Sequence, residues 1–570
     1  MTAVSSRSGR ERLRLPLLDH YLREQRELTA VDQFAQAAGA ASHASTAPSG
    51  RYRALLPASP PGDGQQYAFE VDLDGCSGCK SCVTACHSLN GLDDGETWRA
   101  VGLLHGGSAA APMKQMVTTA CHHCLDPACM SGCPVGAYEK DSITGIVKHL
   151  DDQCIGCQYC TFACPYEVPQ YNPRLGIVRK CDMCSGRLSA GEAPACVQAC
   201  PNEAIAITVV DKRQVLEDTQ GDAFLPGSPS PAITIPTTIY RSERARPRNL
   251  LPADFYRIAP APRHVPLVVM LVLTQLSAGA FAIDALLGCV AADLRIATQP
   301  TWSLALPVAL IALAASVFHL GRPLYAFRAV IGLRTSWMSR EIVAFGAFAL
   351  LGVAYAGLSL LHPSGLLVAI RDALRWAVAT LGVIGVACSV MIYHATRRAW
   401  WTFGIAGFKF FATAALLGLS TLLLAVAIDE RSESGGRGPA GLAGGEGILP
   451  FSIDGAGLPH GAIAALSMLV VATSAIKAAG ELAVLLHLRD RRYTELKRSA
   501  VLLTRDLRGW FVARFAALAL GGIALPLANL RGEQLGATVA SFALVLCGEL
   551  LERTLFFAAA SSNRMPGGLR

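Results

Sequence analysis

Sixteen of the nineteen cysteines fall between Cys76 and Cys200, in four groups of four. Cys76, Cys79, Cys82 and Cys86 in CSGCKSCVTAC, and Cys154, Cys157, Cys160 and Cys164 in CIGCQYCTFACP, follow C-x2-C-x2-C-x3-C. Cys121, Cys124, Cys129 and Cys133 in CHHCLDPACMSGCP, and Cys181, Cys184, Cys196 and Cys200 in CDMCSGRLSAGEAPACVQACP, vary that spacing. A [4Fe–4S] cube needs four thiolates around one centre; three cysteines on a tight loop hold three corners and leave the fourth to a remote cysteine. Proline after the last cysteine of three groups starts a turn or helix and directs that thiolate away from its own loop. Sixteen cysteines then make four [4Fe–4S] clusters. Zinc ribbons pair one C-x2-C knuckle with another, and disulfide scaffolds belong to short secreted chains. The third cysteine in every group and the prolines set this pattern apart from both.

Elements must bring the groups together. AYEKDSITGIVKHL at 137–150 and the stretch around Leu175 to Lys180 read as short β-hairpins beside the cysteine loops. The expected fold of residues 67–215 is therefore α+β and ferredoxin-like, built as two pseudo-repeated two-cluster modules. Residues 1–66 read as an arm and linker. From Leu15 to Ala38 the apolar residues Leu18, Tyr21, Leu22, Leu28, Val31 and Phe34 recur at helical intervals, which suits a helix that docks on a partner or packs on its own domain. No signal peptide or twin-arginine export signal opens the chain. Residues 216–263 read as a Pro-rich linker with the basic run RSERARPR at 241–248.

The remainder is a membrane chain. Across 570 residues, 52% are hydrophobic and 16% charged, and the mean hydropathy is +0.36. The net charge of +7 is too mild to argue for nucleic acid. Eight apolar segments near 265–290, 302–320, 341–361, 372–394, 402–428, 460–487, 509–530 and 534–560 are long enough to cross ~30 Å of hydrocarbon at ~1.5 Å per residue, giving an all-α eight-helix transmembrane bundle over 264–562 and a tail at 563–570. Loops on the N-terminal side hold thirteen basic residues (Arg322, Arg328, Arg334, Arg340, Arg397, Arg398, Arg489, Arg491, Arg492, Lys497, Arg498, Arg505, Arg508), against six on the other side. The positive-inside rule then places the cysteine domain and both termini in the cytoplasm, at a bacterial inner membrane, where a reducing milieu suits thiolate ligands.

Ionisable residues inside that bundle ask for a use or a partner. His319 and Glu341, in FHLGRPLYAFRAVIGLRTSWMSREI at 318–342, flank one loop on the cluster side. A quinol that gives up two electrons releases two protons, and an imidazole with a carboxylate is a fitting pair of acceptors; a carbonyl-bonded His319 and a helix-capping or Arg340-paired Glu341 is the plainer reading. His394 and His487 lie near the same level, but single histidines at helix ends more often snorkel than bind haem, so no haem is expected. Cys289, Cys388 and Cys547 read as packing residues. Lys409, Lys477, Glu481, Glu549 and Arg553 read as mutually paired, or as a proton route.

Residues 67 to about 210 resemble the four-cluster electron-transfer subunit of the dimethyl sulfoxide reductase type of molybdoenzymes. The resemblance implies a crossed ligation: Cys76, Cys79, Cys82 and Cys200 on one cube; Cys181, Cys184, Cys196 and Cys86 on another; Cys121, Cys124, Cys129 and Cys164 on a third; Cys154, Cys157, Cys160 and Cys133 on the fourth. The strings HLGRP, SW-x-SRE and YHATRRAWW (393–401) resemble the eight-helix membrane anchor of the same enzymes, in which the positions matching His319 and Glu341 belong to the quinol site. The resemblance thus implies two subunits fused into one electron-transfer and anchor chain, with quinone/quinol, membrane lipid and a molybdopterin catalytic subunit as partners, of sulfite dehydrogenase or dimethyl sulfoxide reductase type. An ion-translocating subunit of the polysulfide reductase type and an iron–sulfur redox sensor are the alternatives. The long loop from Asp429 to Pro459 departs from the family pattern.

Overall fold

The computed structural model describes His20 and residues 52–221, 224–290, 298–361, 363–435, 461–530 and 535–567. The expected arm helix, His20 apart, lies outside them. The cysteine-rich domain holds two three-stranded sheets and two hairpins. Strand β1 (Gln65–Asp72) is followed by α1 (Ser81–Leu89) and the hairpin β2 (Ala100–Gly107) and β3 (Pro112–Thr119). Next come α2 (Ala128–Ser131), β4 (Tyr138–Lys140), β5 (Val147–His149), α3 (Tyr159–Ala163), β6 (Gln170–Asn172) and β7 (Ile177–Arg179). The domain continues through α4 (Ser185–Ser189), α5 (Ala195–Gln198), β8 (Ile205–Asp211) and α6 (Lys212–Gln220), whose first turn Asp211 caps. Both expected hairpins form, as β4–β5 and β6–β7. The antiparallel register from Gln65 opposite Asp211 to Val71 opposite Ile205 joins the first and last strands of the cysteine region, so its two ends lie side by side.

Residues 224–252, expected as linker, are instead part of this domain. Strand β9 (Ile239–Arg241) pairs in parallel with β1, and β10 (Leu251–Pro252) pairs with β2. Leu225 and Leu250 are buried beside Val71, Leu104 and Val117, which outweighs the local proline content. The N-terminal linker likewise ends sooner, because Tyr52 is buried against Phe69 and Val101. At the other end, residues 563–567 return to the domain. The Leu103 amide donates to the Gly567 carbonyl at 3.0 Å, and Arg564 pairs with Glu167 at 3.1 Å.

The helical half comprises α7 (Val265–Val290), α8 (Thr298–Val317), α9 (Trp337–Leu360), α10 (Leu366–His394), α11 (Phe403–Gly435), α12 (Gly461–Leu482), α13 (Glu495–Thr504), α14 (Arg508–Ala519), α15 (Leu525–Asn529) and α16 (Leu535–Ala558). Among the described residues seven helices are long and apolar enough to cross a membrane, not the expected eight; the second segment, Thr301–Val317, is a shorter apolar helix. The start of α7 and the end of α16 lie together, where the Ala261 amide donates to the Ala558 carbonyl at 3.0 Å and Phe162 of the cysteine domain packs against the rings of His264 and Phe557. Small residues let the helices touch: a Cβ on Gly279 would stand 1.9 Å from the Ala414 carbonyl oxygen. Of the Asp429–Pro459 loop, the part up to Gly435 continues α11 and the rest lies outside the described residues.

Candidate iron–sulfur centres and their membrane contact

Four cavities in the cysteine domain each have four cysteines in their walls. Cys76, Cys79, Cys82 and Cys200 line one of ≈ 300 Å³. Cys86, Cys181, Cys184 and Cys196 line a second of ≈ 280 Å³. Cys121, Cys124, Cys129 and Cys164 line a third of ≈ 370 Å³, and Cys133, Cys154, Cys157 and Cys160 a fourth of ≈ 280 Å³. These groupings are the crossed sets. Each cavity takes three cysteines from one group and one from another, and the β1–β8 pairing brings Cys200 back to the Cys76 loop. Among the described residues, no three His, Cys, Asp or Glu side chains form a group that could hold a single metal ion.

The loops are curled for the task. Gly78 (φ 75°) and Lys80 (φ 65°) in the first loop, and Gly156 (φ 70°) and Gln158 (φ 61°) in the third, take the left-handed conformation that turns successive amides inward. Amides of Gly156, Met183, Ala137 and Ala204 donate to the sulfurs of Cys154, Cys181, Cys133 and Cys200 at 3.3–3.4 Å. Buried polar side chains stand in the walls of these cavities: Arg99 in the second, His122 and His123 in the third, and Tyr138 and His149 in the fourth, and among the described residues Arg99 Nη2 and His123 Nε2 meet no hydrogen-bond acceptor. The Val147 amide donates to His123 Nδ1 at 3.0 Å, which fixes the proton on Nε2 and makes it a donor. Burial pushes the thiols of Cys184 and Cys196 up to about 11 and those of Cys157 and Cys181 up to about 12. An iron–sulfur cluster bound here would take these cysteines as thiolates, displacing their protons, and would offer sulfur acceptors to the buried donors. The donor set fits iron–sulfur clusters.

The fourth cavity is the one seated on the membrane half. Tyr159 donates to the Ile392 carbonyl at 2.8 Å, Ser336 Oγ to the Gly132 carbonyl at 2.8 Å, and the Arg322 amide to the Ile155 carbonyl at 3.0 Å. His319 Nε2 meets the Cys157 carbonyl oxygen at 3.2 Å, and its ring stands 5.9 Å from that of His264. Burial lowers the His319 pKa, with the Cys157 carbonyl pulling the other way. Glu341 has a different neighbour: it is buried between α9 and α10, where the Ser389 hydroxyl donates to it. Arg340 stacks on Trp337 and donates to the Leu333 and Arg334 carbonyls. The two residues sit at one end of the bundle, but each is bonded to a different partner.

His394 accepts from the Phe403 amide, and His487 pairs with Asp490 at 2.9 Å; both imidazoles serve loops. Cys388 is buried, Cys547 is exposed, and the Cys289 side chain lies outside the described residues. The intramembrane charges pair with one another across α11, α12, α14 and α16: Lys409–Glu552 at 2.7 Å, Lys477–Glu481 at 3.1 Å, Lys477–Glu549 at 3.3 Å and Arg514–Glu549 at 2.8 Å. Sequence alone does not single out Arg514 and Glu552. Nor does it mark the buried cations Arg99 and Lys180, although Lys180 directly precedes Cys181.

Comparison with known proteins agrees with this layout. Residues 113–210 match the 4Fe-4S dicluster domain, and residues 261–436 match the DMSO reductase anchor subunit (DmsC). The protein is 35% identical over 189 residues to the B subunit of anaerobic dimethyl sulfoxide reductase from Haemophilus influenzae, covering 32% of this protein and 91% of that one. It is 37% identical over 155 residues to the corresponding Escherichia coli subunit, covering 26% and 75%. To the thiosulfate reductase electron transfer subunit PhsB of Salmonella typhi it is 37% identical over 153 residues, covering 26% and 79%. With the sixteen cysteines gathered in one domain and the anchor match following in the same polypeptide, the protein belongs to the family of electron-transfer B subunits of dimethyl sulfoxide reductase, here fused to a multi-pass membrane anchor of the DMSO reductase type.

Proposed function

We propose that this protein conducts electrons through four [4Fe–4S] clusters in series, between a quinone bound near His319 and Glu341 and a separate molybdopterin catalytic subunit. The carrying observation is the seating of the fourth cavity on the membrane half, through Tyr159, Ser336 and His319. The others are strung away from it. Cys129 of the third cavity and Cys133 of the fourth flank the end of α2, Lys180 bonds both the Cys121 sulfur of the third and the Cys181 carbonyl beside the second, and Thr118 stands between the Cys82 sulfur of the first and Arg99 in the wall of the second. The cavity of Cys76, Cys79, Cys82 and Cys200 is thus the far end of a line and the natural contact for a catalytic partner. Its ligand Cys79 is exposed. The clusters supply one-electron transfer; the protein holds them in order, excludes water and offers proton acceptors where quinol chemistry needs them.

The charge asymmetry of the loops supports a cytoplasmic cluster domain, because Arg322, Arg328 and Arg398 all donate to carbonyls of that domain. Mutual pairing of the charges in α11, α12, α14 and α16 favours a structural role for them over an ion route; proton uptake by proteoliposomes during turnover separates the two.

The test is the quinone half-reaction. Glu341→Gln leaves clusters and insertion intact and slows reduction of the clusters by a quinol analogue, because an amide takes no proton. His319→Ala does the same. The double variant is little slower than the worse single one, since groups serving one proton-coupled step act as a unit. Normal quinol kinetics in both single variants, with clusters complete, overturns the assignment.

A further inference from the structure

Two of the three gaps between cysteine cavities hold a buried cation. Arg99 is 2% exposed and Lys180 3%. Arg99 lies in the wall of the second cavity; its Nη1 donates to Thr118 Oγ1 at 3.1 Å, and the same hydroxyl stands 3.6 Å from the Cys82 sulfur of the first cavity. Its guanidinium packs 4.5 Å from the centre of the Phe69 ring, and no carboxylate pairs with it among the described residues. Lys180 lies in the wall of the third cavity. Its ammonium donates to the Cys121 sulfur at 3.6 Å, to the carbonyl of Cys181 at 2.8 Å and to the carbonyl of Val147. The third gap is different, with the neutral side chain of Tyr138 lining the fourth cavity.

A buried cation without a carboxylate is costly unless something anionic stands beside it. A cube held by four thiolates is anionic, and each electron it accepts adds another negative charge. We propose that Arg99 and Lys180 are shared counter-charges that raise the reduction potentials of the clusters on both sides of them, Arg99 for the first and second clusters and Lys180 for the second and third. This rests on the four-cluster reading. An electron leaving one cluster for its neighbour then stays beside the same cation, so the step is not opposed by loss of a counter-charge.

The experiment is a redox titration of the purified full-length protein followed by electron paramagnetic resonance, with iron and sulfide measured on the same sample. Sixteen irons with four resolved midpoints in the parent protein support the four-cluster reading; fewer clusters overturn that reading itself. Given four, Arg99→Gln lowers two midpoints by at least about tenfold in the oxidised-to-reduced ratio, ~59 mV for one electron, and leaves the other two in place. Lys180→Gln also lowers two, one of them shared with the Arg99 variant. Arg99→Lys and Lys180→Arg keep all four near their parental values. No shift, a shift of all four together, or the same shift in the charge-conserving variants overturns the proposal. So does loss of clusters from both neutral variants while both conservative ones remain complete, which assigns the cations to assembly instead.

Discussion

Gly321, in the HLGRP string, meets the cluster domain backbone to backbone, and adding one methyl group there tests the junction. A Cβ on Gly321 would lie 2.1 Å from the Gly176 carbonyl oxygen and 2.6 Å from its carbon, where ordinary contact begins at 3.4 Å. Gly321→Ala must therefore open the junction by about 1.3 Å. Two costs compete. Forcing an extra carbon into a packed site costs ~1–3 kcal/mol. Separating the strands instead breaks the bonds that hold them: Gly321 amide to Gly156 carbonyl at 3.4 Å, Arg322 amide to Ile155 carbonyl at 3.0 Å, and the Arg322 guanidinium to Asp151 carbonyl at 2.8 Å. At ~0.5–1.5 kcal/mol each, that route costs about as much or more. The expected loss is ~1–3 kcal/mol of local docking stability, a factor of about 5–150 in the opening equilibrium. Hydrogen–deuterium exchange in detergent reads it directly: amides in 150–160 and 318–325 exchange faster by that factor, while strands β1 and β8 keep parental rates. Parental exchange in both segments would refute the close-approach argument.

Replacing Cys200 by Ser perturbs the cluster held by Cys76, Cys79 and Cys82, and iron analysis shows the loss of about one cube while the others remain; a preparation rich in zinc and free of labile sulfide contradicts this. Glu549 accepts from Arg514, Lys477 and Thr413, so Glu549→Gln leaves two buried cations facing Glu481 and destabilises the detergent-solubilised fold by ~3–5 kcal/mol, measured as a lowered thermal midpoint; an unchanged midpoint shows that the network is not needed for stability. Reporter fusions after Arg498 and Arg564 read as cytoplasmic, and one within residues 431–450 reads as external; the reverse pattern moves the cluster domain to the other side.

What can be read from the sequence divides along the range of the forces involved. Three cysteines on one tight loop are a local property, and the hairpins beside them carry local strand signals, so both are legible. Which distant cysteine completes each set is decided by long-range pairing, Gln65 opposite Asp211 in the first case, and only the family resemblance supplies it. Residues 224–252 pass for linker because the burial of Leu225 and Leu250 involves single apolar residues in a Pro-rich stretch, without periodicity to announce it. Arg99 and Lys180 look like ordinary solvated charges until the fold surrounds them with sulfur. The same distinction bears on the membrane end. His319 and Glu341 read as one pair in the sequence because they flank one loop, yet His319 is bonded to the backbone of the Cys157 loop and Glu341 to Ser389 between two helices. His319 is thus tied to the loop that carries Cys157, and Glu341 is held within the bundle. Under the proposed quinone reading, the imidazole is therefore the member of the pair whose loss would disturb the cluster loop as well as the proton acceptor, which separates the His319→Ala and Glu341→Gln outcomes.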